Sequence, residues 1–498
     1  LFTLFGQHFP EERSQPCMIV PGGPMIGYDE LDHLSARIDH ALCAAGCVTG
    51  DRVSVQADKH LQVLALCLAT LRAGLVYLPL NTAYQRAELD YFFADAKPRV
   101  IVCRDEMLGV IATLARDATV LTLDAHGGEL IDRASGQPET FATIARAPDD
   151  LAAILYTSGT TGRSKGAMLS HRNLASNALA LVEAWRFDHR DVLLHALPIY
   201  HVHGLFVAVH CVLVAGARML WLPRFDAHEV ATLLPKASVM MGVPTFYTRL
   251  LAEPAFTREV AKDVRLFVSG SAPLLAETFR EFEARTGQRI LERYGMTETG
   301  MNTSNPHDGP RIAGTVGPPL PGVEVRIVDA EGRPCAAGVV GTIEVRGGNV
   351  FRGYWQMPDK SREEFTDDGW FRTGDVGSID AARYRTISGR AKDLIISGGL
   401  NIYPKEIEER IDALDGVVES AVVGIADPDF GESVVAVVVA RDGHALTEAS
   451  IIGALKREIA GFKVPKRVVF ALELPRNAMG KVQKNALRER LAAASGSA

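Results

Sequence analysis

Between residues 51 and 103 short apolar strands alternate with helical stretches, and this alternation limits the folds open to the chain more than any other feature. Just before it, residues 28–45 put Leu31, Leu34, Ile38, Ala41 and Leu42 on one helical stripe. Asp51-Arg-Val-Ser-Val reads as a strand, and residues 60–73 as a strongly apolar helix stopped at Gly74. Val76-Tyr-Leu-Pro-Leu is a second strand, residues 86–96 a helix, and residues 98–103 a third strand. Parallel strands need a long crossover, most often a helix, so the pattern predicts a parallel α/β sheet. The pattern resumes beyond residue 190. Strand-like runs at 191–197, 217–222, 238–242, 265–269 and 289–292 are separated by helical runs at 205–215, 229–235, from Pro244, and at 277–286. Pro244 suits the first turn of its helix, where no amide hydrogen is needed.

From about Gly314 the texture changes. Prolines and glycines cluster in Gly317-Pro-Pro-Leu-Pro-Gly322, and short β-rich runs follow at 323–328, 341–345 and 384–387. This predicts a β-rich subdomain over about residues 314–392. The stretch from Gly389 to Pro404 carries charges and then paired glycines, the expected boundary. After it, a helix at 405–414, strands at 417–424 and 434–440 and a helix at 449–460 predict a compact module, with residues 492–498 frayed. The expected architecture is α/β: a large N-terminal α/β body over residues 1–392 that includes the β-rich subdomain, and a small mobile C-terminal α+β domain over residues 393–498. A length of 498 residues accommodates that division.

Net charge is −7, so no basic footprint points to nucleic acid or an anionic membrane surface. The longest apolar window, residues 205–217, is interrupted by His210 and falls short of the ~20 residues that span a bilayer. The chain begins at Leu1 without an initiator Met, which reads as a trimmed start, and no targeting segment is visible. Seven cysteines are scattered without a C-x-x-C pair, as expected of free thiols in a reducing compartment, and a cytoplasmic location is the expectation. Monomer and homodimer both remain open.

The chemistry starts at Ile154-Leu-Tyr-Thr-Ser-Gly-Thr-Thr-Gly-Arg-Ser-Lys-Gly166. An apolar strand runs into two glycines, several hydroxyls and one lysine, a set of donors suited to a polyphosphate. It is not a Walker A loop, because Arg163 and Ser164 separate Gly162 from Lys165. A helix N-capped by Ser170 is expected to follow. Elsewhere the residues leave alternatives open. Glu298, closing Tyr294-Gly-Met-Thr-Glu, suits either a helix N-terminus or Mg²⁺, which takes carboxylate and phosphate oxygens. Thr373-Gly-Asp375 reads as a turn, or as an acid placed for ribose hydroxyls. Lys481 reads as a solvated surface charge. His201 and His203 form an H-x-H pair without a third ligand at useful spacing, so a pocket lining or a satisfied core histidine is favoured over a metal site.

Taken together and in order, the glycine-rich loop, Leu197-Pro-Ile-Tyr-His201, Tyr294-Gly-Met-Thr-Glu298, Thr373-Gly-Asp375, Gly389-Arg-Ala-Lys-Asp393 and Gly480-Lys481 resemble the adenylate-forming superfamily of acyl-CoA synthetases, luciferase-like enzymes and peptide-synthetase adenylation domains. The resemblance implies an acyl-AMP made from ATP and a carboxylate, then thioester formation with coenzyme A. Thr157, Ser158, Gly159, Thr160, Thr161, Gly162 and Lys165 would hold the β- and γ-phosphates. Thr297 would contact the α-phosphate, and Glu298 with Thr157 would hold Mg²⁺. Gly270, Ser271, Ala272 and Tyr294 would frame the adenine, with Glu292, Arg293, Gly295 and Met296 also among the cofactor-binding residues. Asp375 and Arg390 would take the ribose. Lys481 would bridge carboxylate and α-phosphate, Asp393 would be the hinge of a mobile C-terminal domain, and Ser397, Gly398 and Gly399 would help form the thiol tunnel.

Val76-Tyr-Leu-Pro-Leu-Asn-Thr-Ala-Tyr84, Val243-Pro-Thr-Phe-Tyr-Thr-Arg-Leu250 and Glu292-Arg-Tyr-Gly-Met-Thr-Glu-Thr299 resemble the malonyl-CoA synthetase branch. A dicarboxylate brings a second charge into the pocket, and burying it unpaired would cost several kcal/mol. A pocket arginine is therefore expected, with Arg249 and Arg293 as candidates. His201 and Ser271 would meet the acid, and Val202 and Met301 would limit its α-substituent, with methylmalonate a second substrate. The alternatives are an acyl-CoA synthetase for a short or aromatic monocarboxylate and, more remotely, a non-catalytic adenylate-binding module. The expected partners are malonate, ATP and coenzyme A, with a lysine acetyltransferase expected to act on Lys481.

Overall fold

The computed structural model describes residues 1–157, 164–397, 400–427, 431–477 and 480–495. The expected parallel sheets form, and there are two. The first runs in the order Thr119–Thr122, Val100–Cys103, Arg52–Gln56, Val76–Pro79, Leu151–Thr157, Lys165–Ser170, parallel throughout except for the last pair. The second runs Gly300–Ser304, Leu291–Met296, Leu266–Ser269, Val239–Gly242, Val192–His195, Arg218–Trp221, Pro16–Ile19, Met25–Gly27, with antiparallel pairs only at its two edges. One buried apolar cluster joins Val53 and Val100 of the first sheet to Leu193, Val239 and Leu291 of the second. It also holds the apolar faces of helices Tyr28–Ala44, Leu61–Arg72 and His171–Trp185. Each Val or Leu buried in it stabilises the fold by about 1.5–3 kcal/mol. Helix Leu61–Arg72 is buried along most of its length, which is why its sequence is apolar without a clear stripe.

A four-stranded antiparallel sheet follows, Val323–Val328, Gly341–Gly347, Phe371–Ile379, Arg385–Arg390. The last sheet pairs Leu400–Ile402, Ile395–Ser397, Gly431–Ala440 and Val417–Asp427, with Arg467–Phe470 parallel to Gly431–Ala440. Helices Pro404–Asp412 and Glu448–Leu455 bring Ile407, Ile411, Ile451 and Leu455 into one core with Ile395, Val422, Val434 and Val438. An α/β body with a smaller α+β unit is therefore the observed fold class.

Several local readings change. Lys165 opens a second strand, Lys165–Ser170, antiparallel to Leu151–Thr157, so the loop joins a hairpin and the helix capped by Ser170 comes one strand later. Gly166-Ala-Met-Leu lacks β-branched residues, so its strand character comes from pairing. Thr373-Gly-Asp375 lies inside strand Phe371–Ile379, with Gly374 at φ +71° close to a shift of register, and is not a free turn. Residues 492–495 of the stretch expected to fray belong to helix Lys484–Ser495, whose Leu487 and Leu491 are buried against Val423 and Val437. The rest of that stretch lies outside the described residues. The helix expected over 449–460 ends at Leu455. Helix Phe2–His8 and strands Pro16–Ile19 and Met25–Gly27 carry no periodic signal in the sequence.

Candidate active site

Three clusters of side chains build the site. The first surrounds Glu298. Lys165 points its Nζ to 3.5 Å from Glu364 Oε1 and lies 4.2 Å over the Tyr354 ring. Tyr354 donates its hydroxyl to Glu298 Oε1 at 3.1 Å. Glu298 sits in the tight connection between strands Leu291–Met296 and Gly300–Ser304, so it is neither at a strand end nor at a helix N-terminus. Burial raises its pKa, with Arg390, Tyr354 and Lys165 among the groups opposing the rise. Phe351 N donates to Glu298 O at 2.7 Å, and Asn349 Nδ2 donates to Thr299 O at 2.7 Å, so the backbone around the acid is held from behind. Thr157 Oγ1 donates to Lys165 O at 3.4 Å across the mouth of the hairpin. Ser158, Gly159, Thr160, Thr161 and Gly162 lie outside the described residues, as do Gly398 and Gly399.

A second cluster is built on the antiparallel sheet. Asp375 accepts Tyr294 OH at 2.5 Å on Oδ2 and pairs with Arg390 Nε at 2.8 Å through Oδ1. Its own amide donates to Thr373 Oγ1 at 3.1 Å, and Arg390 Nη1 donates to Thr373 O at 3.0 Å. Asp375 and Arg390 stand opposite each other on adjacent strands, which is what brings these side chains together. Glu292, one strand position before Arg293, is buried and accepts Leu274 N at 3.2 Å, while its Oε2 has no partner. Burial pushes its pKa up to about 7, against the pull of Lys405.

The third cluster surrounds Arg293. This side chain is 3% exposed, yet its Nε and Nη2 have no hydrogen-bond partner. Burial lowers its pKa to about 9, a measure of how little water reaches it. The guanidinium packs on Gly270, where a Cβ would overlap Arg293 Cζ. Ser271 follows in the left-handed region at φ +72° and sets its Oγ 3.2 Å from His203 Nδ1. Burial, reinforced by Arg293, lowers His201 to about 4 and His203 well below its ordinary value, so both rings are neutral near pH 7. Among the described residues no group of three His, Cys, Asp or Glu could hold a metal ion. Val202, Phe206 and Thr297 line a small enclosed cavity with Asn177 and Gly300, and Met301 is buried beside Gly295.

Arg249 is not brought to this pocket. On helix Pro244–Ala252 the buried side chains are Tyr247, Leu250 and Leu251, and Arg249 lies on the exposed face. Two residues along a helix are about 200° apart, so Tyr247 facing in turns Arg249 out. Tyr247 itself donates to Val268 O at 2.7 Å and lies within electrostatic reach of Arg293.

The C-terminal unit meets the site through the loop that carries Lys481. Lys481 N donates to Asn477 Oδ1 at 3.0 Å, and Gly480 turns at φ +73°. A Cβ on Gly480 would lie 3.2 Å from Thr245 Oγ1, so the loop docks on the first turn of helix Pro244–Ala252. Lys481 keeps an exposed surface, yet desolvation lowers its pKa, helped by Arg390 and opposed by Asp375. Asp393 lies in the turn Ala391–Asp393 and accepts Arg488 Nη2 at 2.8 Å from helix Lys484–Ser495. Ser397 ends its strand and is buried. Tyr354 and Glu364 escape sequence reasoning. Neither sits in a recognisable motif, and only the pairing of Ala167 with Tyr354 brings their segment to Lys165.

Residues 8–355 match the model of the AMP-binding enzyme family, and residues 406–481 that of the AMP-binding enzyme C-terminal domain. The mitochondrial malonate–CoA ligase of Mus musculus is 36% identical, with 93% of this chain and 88% of the relative covered. The sulfoacetate–CoA ligase of Cupriavidus necator is 37% identical, with 97% and 96% covered. ATP-bound MatB from Rhodopseudomonas palustris is 55% identical over 99% of each chain with a TM-score of 0.97, and the apo form of that protein gives 0.86. With both sequence models and near-complete relatives in agreement, the chain belongs to the AMP-binding enzyme family, within the adenylate-forming superfamily that its motifs resemble.

Proposed function

We propose that this AMP-forming acid–thiol ligase joins malonate to coenzyme A through malonyl-AMP. The observation that carries the reading is Arg293, a buried guanidinium with two nitrogens unpartnered and no carboxylate beside it among the described residues. A buried cation of this kind costs several kcal/mol unless an anion pairs with it. The distal carboxylate of malonate supplies that anion, and the planar fork of Arg293 suits it in a bidentate pair. Ser271 Oγ, His201 and His203 complete a polar wall, and Val202 and Met301 bound the space for an α-substituent, which leaves methylmalonate as a second substrate.

In the first step the reacting carboxylate oxygen attacks the α-phosphorus of ATP, the bond to the β-phosphate breaks, and pyrophosphate leaves. Thr157, Lys165 and the loop from Ser158 to Gly162 would hold the leaving phosphates, and Thr297 the α-phosphate. Glu298, with Thr157, fits Mg²⁺: it is a hard oxygen donor, buried, with one carboxylate oxygen already oriented by Tyr354. When bound, the ion would offset charge on the polyphosphate. Asp375 and Arg390 would orient the ribose, and Gly270 to Ala272, with Tyr294, the adenine. Lys481 would neutralise charge that builds between carboxylate and α-phosphate. In the second step the thiol sulfur of coenzyme A attacks the acyl carbon, the acyl–AMP bond breaks, and AMP leaves. Residues 393–498 would turn about Asp393 to withdraw Lys481 and bring Ser397 to Gly399 to the thiol. The exposed surface of Lys481 makes it accessible to a lysine acetyltransferase, and loss of its charge would block the first step.

A second reading, sulfoacetate, is favoured by the relative of that activity, because a sulfonate would pair with Arg293 in the same way. Pyrophosphate release measured on malonate, methylmalonate, sulfoacetate, acetate and benzoate separates the readings. Malonate is expected to give the highest kcat/KM, and Arg293→Ala to cost malonate about 100-fold while acetate changes little. A higher kcat/KM on acetate, benzoate or sulfoacetate would overturn the malonate assignment.

A further inference from the structure

Arg293 is not the only enclosed cation near the acid pocket. Lys59, in the loop after strand Arg52–Gln56, has no carboxylate within ion-pair distance among the described residues. Its Nζ donates to His195 O at 2.8 Å and to Leu222 O at 2.6 Å, and lies 2.8 Å from His195 Nδ1. An ammonium has three N–H donors, so all three are used. The Trp221 ring covers the remaining side, 4.2 Å from Nζ. This arrangement assigns the histidine tautomer: His195 Nδ1 accepts from Lys59, so the proton is on Nε2, which donates to Gly204 O at 2.8 Å. Burial and the Lys59 charge both hold the ring neutral.

Gly204 sits in a π-helical turn, His203–Val209. Such turns are rare and often mark functional positions. A Cβ on Gly204 would overlap Pro198 O, so the turn is packed against the segment that leads to His201. His203, its neighbour, meets Ser271, and His203 and His201 both feel the Arg293 charge. Lys59 follows a strand of the first sheet, whereas His195 and Leu222 stand at the carboxyl ends of adjacent parallel strands of the second. Parallel sheets bind ligands beyond those strand ends.

We propose that Lys59 and His195 form a positioning relay for the acid pocket. Lys59 ties the two sheets and holds His195, and His195 holds the carbonyl of Gly204. The π-helical turn is thereby fixed, with His203 set against Ser271 and within reach of the Arg293 charge. This rests on the acid-pocket reading above, but not on malonate being the acid.

The relay is tested with two substitutions of His195 that split its bonds. Asn places its amide near the Nδ1 position and keeps a partner for Lys59 without reaching Gly204. Gln reaches the Nε2 position and keeps the donation to Gly204. Lys59→Met removes the other end. Steady-state KM values for the acid and for ATP are measured on each, with the acid that gives the highest kcat/KM on the wild-type enzyme, together with Tm. Lys59→Met and His195→Asn are expected to raise the acid KM about tenfold with ATP KM within about twofold, and His195→Gln to restore it to within about threefold. Equal effects of Asn and Gln, or acid and ATP KM rising together, would overturn the proposal. If Lys59→Met does not fold, the contrast between Asn and Gln decides. A best acid other than malonate would overturn the malonate assignment alone, since the relay is then read from that acid's KM.

Discussion

At the scale of single residues, burial without a partner is the informative signal. Arg293 and Glu292 are adjacent, both enclosed, and each leaves polar atoms unpartnered. Being neighbours on a strand, they point to opposite faces, so Arg293 packs on Gly270 and Glu292 lies against Leu274. The raised pKa of Glu292 has a consequence for stability. The folded chain keeps the Glu292 proton up to about pH 7, whereas an unfolded chain releases it near the ordinary value of 4.5. The retained proton's contribution is fully present below that lower value and is lost as pH rises through about 7, a change of about 3 kcal/mol. Wild-type Tm is therefore expected to fall relative to Glu292→Gln between pH 5 and about pH 7.5. A Tm difference between the two proteins that stays constant over that range would contradict it. Arg293 is legible in the sequence as a candidate pocket arginine, and the structure buries it with nitrogens unpartnered. Arg249 satisfies the same reading and yet faces solvent, because chain position names a helix but only packing decides which face turns in.

At the scale of elements, strand–helix alternation is legible because parallel strands buried on both faces read as plain apolar runs. The hairpin Leu151–Thr157 and Lys165–Ser170 is not, and neither is strand Phe371–Ile379, whose Thr373-Gly-Asp375 looks like a turn until Arg385–Arg390 pairs beside it. Polar segments of this kind owe their conformation to neighbouring strands that local propensity does not reveal. Gly270 offers a test of one such dependence. An added Cβ would overlap the Arg293 guanidinium, so that side chain must shift from its place. Gly270→Ala is expected to raise the malonate KM about tenfold or more. An unchanged malonate KM would show that Arg293 is not held where the structure has it.

At the scale of the whole molecule, the chain matches the ATP-bound form of the Rhodopseudomonas palustris protein with a higher TM-score than its apo form, at the same sequence identity. Here the Gly480 loop docks on Thr245, and Lys481 lies within electrostatic reach of Asp375 and Arg390. Among the described residues no helix is long and apolar enough to cross a membrane. An arrangement that presents Lys481 to the proposed nucleotide side would serve adenylation, so Lys481→Ala is expected to lower ATP–pyrophosphate exchange about 100-fold while thioester formation from supplied malonyl-AMP stays within about threefold. Equal losses in both half-reactions would contradict the division of labour.

The central claim is that Arg293 pairs with the second carboxylate of the acid. A crystal structure with malonate and a non-hydrolysable ATP analogue tests it most directly. The account predicts the distal carboxylate within about 3 Å of Arg293 Nε and Nη2, with the reacting carboxylate turned towards Lys481. A distal carboxylate bound elsewhere, with those two nitrogens still unpartnered, would contradict it.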